Sequence, residues 1–239
     1  MSYTLLEKIK YKLWMLHSLP WSIYINFHYL PFRQAIRLPI MVYKPHFKKL
    51  GGSIEIQGGG GIRTGMIILG TYQVDLYPNN GIMLDIRGKI IFHGSCSIGN
   101  NSFISTSKGS LLEFGNNFSA TTTLRLACYD HITFEDDVIV GWDCMFIDTD
   151  FHRLTREDGK PVKGFGPVTI GRNTWIANGC RIMKNTSLPG YCVVAAYSVL
   201  TGRIDVPEKS VIGNEHELKI LSSGKWLDRT DDKPLYARS

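Results

Sequence analysis

Asp148-Thr149-Asp150-Phe151-His152 is the stretch of this sequence best equipped for chemistry. A histidine titrates near neutral pH, so it can take a proton from a hydroxyl as that oxygen attacks an electrophile. Asp148 or Asp150 can orient the imidazole through its other nitrogen. Either can also bind hydroxyls of an acceptor, or simply cap a turn. His152 itself reads as a general base, or as a residue that closes a strand ahead of a loop. The other histidines are scattered (His17, His28, His46, His93, His131 and His216) and read as structural.

The elements that must position this stretch announce themselves by a six-residue repeat. Ile170, Ile176, Ile182, Leu188, Val194 and Leu200 are each six apart, and a small residue follows each of the first five by four: Thr174, Cys180, Thr186, Cys192 and Ser198. Neither a helix nor a plain strand gives that period, whereas a hexapeptide β-helix does. The small residue and the next aliphatic are two apart, so both can face inward from one strand. Polar residues and glycines between them suit corners. Stacked coils then bury columns of aliphatic side chains that one hexad could not bury alone.

The register extends backwards. Ile56, Ile62, Ile68 and Val74 start it, Tyr77-Pro78-Asn79-Asn80-Gly81 interrupts it as a turn or altered corner, and Ile86, Phe92, Ile98 and Ile104 resume it. It slips near Lys108-Gly109, returns as Phe114, Ala120 and Leu126, and slips again to Phe134, Val140 and Phe146. The phenylalanines suggest a wider or distorted bore there. His152 falls six residues after Phe146, where a bore aliphatic is due. Residues 153–167 then lose the repeat and read as a loop that leaves the scaffold, the kind of excursion that carries function. About eight coils at roughly 4.8 Å each give a prism near 40 Å long.

Composition agrees with a single sizeable core: 239 residues, 44% of them hydrophobic. Cys96, Cys144, Cys180 and Cys192 occupy small fifth places, Cys128 is less well placed, and no Cys-x-x-Cys pair occurs. The cysteines therefore read as buried thiols rather than disulfides or zinc ligands, in a reducing, cytoplasmic compartment. No secretory signal and no bilayer-spanning stretch is expected.

The charge is segregated. Residues 1–50 hold eight Lys/Arg against Glu7 alone, a net +7, where the whole chain is +6; the remainder is −1. An amphipathic helix is expected over residues 2–19, with Leu5, Leu6, Ile9, Leu13 and Leu16 on one face and Pro20 ending it. Residues 21–47 are dense in aromatics. They read as a cap over the open end of the solenoid, as a peripheral contact with the inner face of a membrane, or both. No motif supports nucleic-acid binding. The expected architecture is all-β: an N-terminal helical or irregular cap over 1–50, a parallel β-helix over 51–214 with the 153–167 insertion, and a short C-terminal helical tail over 215–239.

Residues 168–214 resemble the hexapeptide-repeat acyltransferases, especially the acetyl-CoA-dependent O-acetyltransferases of sugars and surface polysaccharides. The resemblance rests on Val168-Thr169-Ile170-Gly171-Arg172-Asn173-Thr174-Trp175-Ile176-Ala177-Asn178, on Val193–Thr201, and on Val211-Ile212-Gly213-Asn214. Glu215-His216 stands where that family has a proline-alanine pair. Asp148–His152 resembles the segment that carries the family's base. The resemblance implies a left-handed β-helix, an exception to the right-handed crossover rule. It also implies a homotrimer with active sites in clefts between neighbouring prisms, and acetyl-CoA as donor with no metal. His152 is then the base that activates a saccharide hydroxyl. Trp175, Ala177, Ala195 and Ala196 fall where the family lines its coenzyme groove. Lys184 and Arg203 are candidates for the coenzyme phosphates, and Arg153, Arg156 and Lys163 for an anionic acceptor. Two other functions fit the repeat: a metal enzyme of the γ-carbonic-anhydrase type using His93, His131 and His152, and a non-catalytic β-solenoid that scaffolds or binds.

Overall fold

The computed structural model describes residues 5–72, 77–152 and 155–214, with residues 5–15 and 17 described by their backbone alone. The tail expected over 215–239, His216, Val74, Arg153 and the side chains of Leu5, Leu6, Ile9 and Leu13 lie outside that description. Among the described residues, short strands form three parallel sheets of eight, seven and six strands, here called A, B and C. The chain visits A, B and C in turn, and each strand pairs with the strand one coil later. This is the left-handed parallel β-helix of the sequence reading.

Inward side chains form one column per sheet. Sheet A stacks Val42, Leu69, Ile98, Ala120, Val140, Ile176, Val194 and Ile212. Sheet B stacks Leu84, Ile104, Leu126, Phe146, Ile182 and Leu200. Sheet C stacks Ile56, Phe92, Phe114, Phe134, Ile170 and Leu188. The hexad positions from Ile86 to Leu200 are buried, as are the small fifth places Thr174, Cys180, Thr186, Cys192 and Ser198. Their hydroxyls find backbone partners: Thr186 donates to the Met183 and Leu200 carbonyls, and Ser198 to that of Ala195. Buried polar atoms are thereby satisfied at the corners. All five cysteines are buried and free.

The phenylalanines do not distort the bore. Phe92, Phe114 and Phe134 stack nearly parallel in the sheet C column. Small Ala120 occupies the sheet A slot six residues after Phe114, so one coil trades volume between its columns. Each corner needs one residue in the left-handed region. Asn173, Gly179, Asn185, Tyr191 and Tyr197 take it at the fourth place of successive hexads. Asparagine and glycine are at ease there; the two tyrosines are not.

Two expectations about the first coils need correcting. The coils begin at Ile40 rather than after residue 50, because Ile40–Val42 and Pro45–Leu50 already pair with the next coil. The early register is also displaced. Ile67 and Leu69 face the bore and Ile68 faces out, while Ile62 is only partly buried. Leu69 follows Ile56 by thirteen residues, where Ala120 follows Phe114 by six, and the extra odd number moves the inward phase by one.

Helix α1 spans Leu5–Tyr29 and runs through Pro20. Proline forfeits one i→i−4 bond, and here Leu16 and Pro20 both sit on the exposed side of the helix. Apart from Ile25, what α1 buries is polar. The Asn26 side chain donates to the Ile40 carbonyl and accepts from the Ile40 amide, and Ser22 Oγ accepts from the Val42 amide. Ile40–Val42 is the end strand of sheet A. These side chains therefore close an edge that would otherwise present bare backbone groups.

Candidate functional site

Between Met145–Ile147 and Val168–Ile170 the chain leaves the corner that joins sheet B to sheet C. The excursion's described residues pair in the manner of a hairpin. Thr149 bridges Phe165 and Thr155 bridges Pro161, both antiparallel, and the Asp150 amide donates to the Gly164 carbonyl at 2.7 Å. Phe165 packs on Tyr129, with the Lys163 amine 4.8 Å from the Phe165 ring centre.

The three members of the Asp148–His152 segment have different surroundings. Asp148 is fully buried. Its two carboxylate oxygens accept the amides of Tyr129 at 2.7 Å and Asp130 at 2.8 Å, in the corner of the preceding coil. Burial pushes its pKa above the ordinary carboxylate value, against the pull of those donors. Both oxygens hold the hairpin root onto the coil beneath. Asp148→Asn replaces one acceptor by an amide that opposes a backbone N–H, and should cost about 1–3 kcal/mol. Urea unfolding measures that loss. The folded fraction should keep its turnover, whereas a catalytic role would lower it.

Asp150 has a different partner. Its carboxylate pairs with the Lys184 amine, reached from the corner one coil later. His152 itself is exposed and makes no side-chain hydrogen bond among the described residues. The ring stands free at the hairpin root, two residues after Asp150 in sequence. Arg203 is exposed just past the next B-to-C corner, where its backbone bridges Ser187.

The groove candidates are elsewhere on the prism. Trp175 points out of sheet A, half exposed. Ala195 and Ala196 are exposed at the corner joining A to B. Ala177 is buried there, and a side chain on Gly141 would strike the Ala177 and Asn178 backbone. Gly99, Gly141, Ala177, Ala195 and Gly213 all occupy the same hexad place at this corner. Close coil approach alone accounts for the small residues at Gly99 and Gly141. One chain thus carries the candidates in two groups: His152, Asp150, Lys184 and Arg203 around the B-to-C corner, and Trp175, Ala177, Ala195 and Ala196 around sheet A and the A-to-B corner. Two concavities, of about 410 and 340 Å³, lie nearer the N-terminal coils, and neither is lined by any of these residues.

The A-to-B corner holds a further cluster. The Tyr77 hydroxyl donates to the Asp143 carboxylate, and Arg181 donates to the carbonyls of Asp143 and Gly179. The Tyr197 ring covers Gly179 so closely that a Cβ there would fall 2.5 Å from it. Sequence reading missed this group because its partners come from different coils.

The outward faces differ in character. Sheet A presents Ile139, Trp175 and Val211 and sheet B presents Phe103 and Val199, all exposed. Sheet C presents polar side chains, including Glu113 flanked by His93 and His131, each 2.9 Å away. Burial works to raise the Glu113 pKa, but the two imidazoles hold it below its ordinary value. His93 and His131 thus converge on a carboxylate, and with His152 they form no metal-holding group among the described residues.

No protein-family model matches the chain, and no curated protein matches it. Among solved structures, the crystal structure of the polySia specific acetyltransferase NeuO is similar at 16% sequence identity. The match covers 77% of this chain and 92% of that chain, with a TM-score of 0.41.

Proposed function

We propose that the protein is an O-acetyltransferase that moves an acetyl group from acetyl-CoA to a saccharide hydroxyl, in a surface polysaccharide or a glycolipid precursor. The observation that carries the reading is His152. It stands exposed and unpartnered at the root of a hairpin that interrupts an otherwise regular hexapeptide prism. In the proposed reaction the acceptor oxygen attacks the thioester carbonyl as His152 takes its proton. A C–O bond forms, the C–S bond breaks, and the proton passes to the departing thiolate. The products are an acetyl ester and free CoA. Holding two substrates in line supplies much of the rate.

The separation of the candidates onto two corners supports a site shared between chains. A homotrimer would set the sheet A side of one prism against the B-to-C corner of another. Trp175, Ala195 and Ala196 would then line the coenzyme groove, and Lys184 and Arg203 would receive phosphates. The exposed apolar side chains of sheets A and B favour such association, since sheet C offers none comparable. Asp150 in this scheme sets the position of Lys184 rather than the tautomer of His152.

The test gives purified protein acetyl-CoA and a panel of hexose acceptors and follows free thiol, with acetyl-CoA binding measured by calorimetry. Turnover dependent on a sugar hydroxyl supports the reading. Absence of any acyl-CoA binding would turn the assignment to the non-catalytic solenoid instead.

A further inference from the structure

Over its residues with described side chains, Leu16 and 18–29, helix α1 is inside out. Its buried side holds Ser18, Ser22 and Asn26 around Ile25. Its exposed side holds Leu16, Ile23, Tyr24 and Phe27, with Trp21 at the margin. At 100° per residue these two sets face opposite directions. A surface helix of a water-soluble domain normally shows the reverse. The polar side is accounted for, since Ser22 and Asn26 close the edge of sheet A. The apolar side is not. Phe32, at the start of the short helix Phe32–Ala35, extends it by packing on Phe27, and Phe32 is itself 69% exposed.

The surroundings of this face are cationic. Arg33 follows Phe32, and Lys48 and Lys49 follow Phe47, whose ring packs on Trp21 and Tyr24. Arg33, Lys48 and Lys49 are exposed. Lys48 lies 3.7 Å from Asp85, while Arg33 and Lys49 have no ion-pair partner among the described residues. The only acidic residue in the first fifty is Glu7. A second copy of the same face would bring like charge against like charge, which opposes self-association. An anionic lipid surface offers both things the face asks for: an apolar layer for Ile23 and Phe27, and phosphates for the cations. Tryptophan and tyrosine at the margin suit the headgroup level. Among the described residues, no helix is long and apolar enough to cross a membrane, so α1 would lie along the surface.

We propose that the outer face of α1, with Phe32 and the cations Arg33 and Lys49, docks the prism onto an anionic phospholipid surface. The inference does not depend on the acyltransferase reading, and its test needs no activity. Full-length protein is sedimented with phosphatidylcholine vesicles, with and without about 30% phosphatidylserine, a composition giving a negative surface potential. Binding should require the anionic lipid and fall as salt is raised. Arg33→Gln with Lys49→Gln should weaken it roughly 30-fold, at about fivefold per cation removed. Ile23→Ser with Phe27→Ser should weaken it about tenfold or more without changing the thermal midpoint, because both side chains are exposed. Equal partition onto neutral and anionic vesicles would overturn the proposal. So would anionic binding unmoved by the charge variant, which decides the matter if the apolar variant misfolds. Concentration-dependent self-association abolished by the apolar variant would assign the face to a second copy and also overturn it.

Discussion

His152→Ala should lower kcat for acetyl transfer by about 10²–10⁴-fold, the contribution expected of a positioned general base. The side chain is exposed and has no side-chain hydrogen bond among the described residues. Its removal should therefore shift stability by no more than about 0.5 kcal/mol. That separates this variant from Asp148→Asn, whose deficit should appear in unfolding rather than in turnover. Acetyl-CoA affinity should survive, since the proposed phosphate and groove contacts involve Lys184, Arg203 and Trp175. The measurement is thiol release at saturating donor and acceptor, paired with calorimetric acetyl-CoA binding on the same protein. Undiminished turnover would remove His152 from the mechanism. Lost turnover together with lost donor binding would make it a binding residue. Asp150→Asn sharpens the comparison. It frees Lys184 and should change the apparent affinity for donor more than kcat, because Asp150 is committed to that amine.

The architecture was legible because one constraint recurs at every coil. A strand of period two, bent by corners every six residues, leaves few ways to hide its apolar side chains. Positions from Ile86 to Leu200 could therefore be assigned inward from sequence, and the phenylalanines fitted once Ala120 was read as their counterweight. The first coils were not legible. A glycine run over Gly58–Gly61 and a longer connection to Ile67 break the count. Helix α1 defeated pattern reading for a different reason. The inward partner of Ser22 and Asn26 is a strand edge that hydropathy does not register, and Pro20 fell on a side where losing one hydrogen bond is tolerated. The site shows a similar split. The segment at Asp148–His152 stood out as a break in the repeat. The partners of its carboxylates did not, because the amides of Tyr129 and Asp130 and the amine of Lys184 are brought near only by stacking of coils.

Phe114→Ala should cost about 3–5 kcal/mol, the range for truncating a buried aromatic. Phe114 is fully buried. It stacks on Phe92 at 5.3 Å and 11° and on Phe134 at 5.5 Å and 5°, and Phe118 lies 4.8 Å from it. The size of the loss follows from how little the site can collapse. Backbone ladders fix the coils about 4.8 Å apart, so the rings above and below cannot close over the gap. The neighbouring Ala120 slot cannot fill it either, because a methyl group has no further reach. By contrast, Ile170→Val in the same column removes one methyl and should cost about 0.5–1.5 kcal/mol. Since each coil touches only its neighbours, the damage should remain local before it becomes global. Guanidinium unfolding followed by circular dichroism should then show a lower midpoint for Phe114→Ala and a broader transition than for Ile170→Val. Equal midpoints for the two variants would mean that the coils yield around the cavity, and that the aromatic ladder is replaceable packing rather than the rigid centre of the prism.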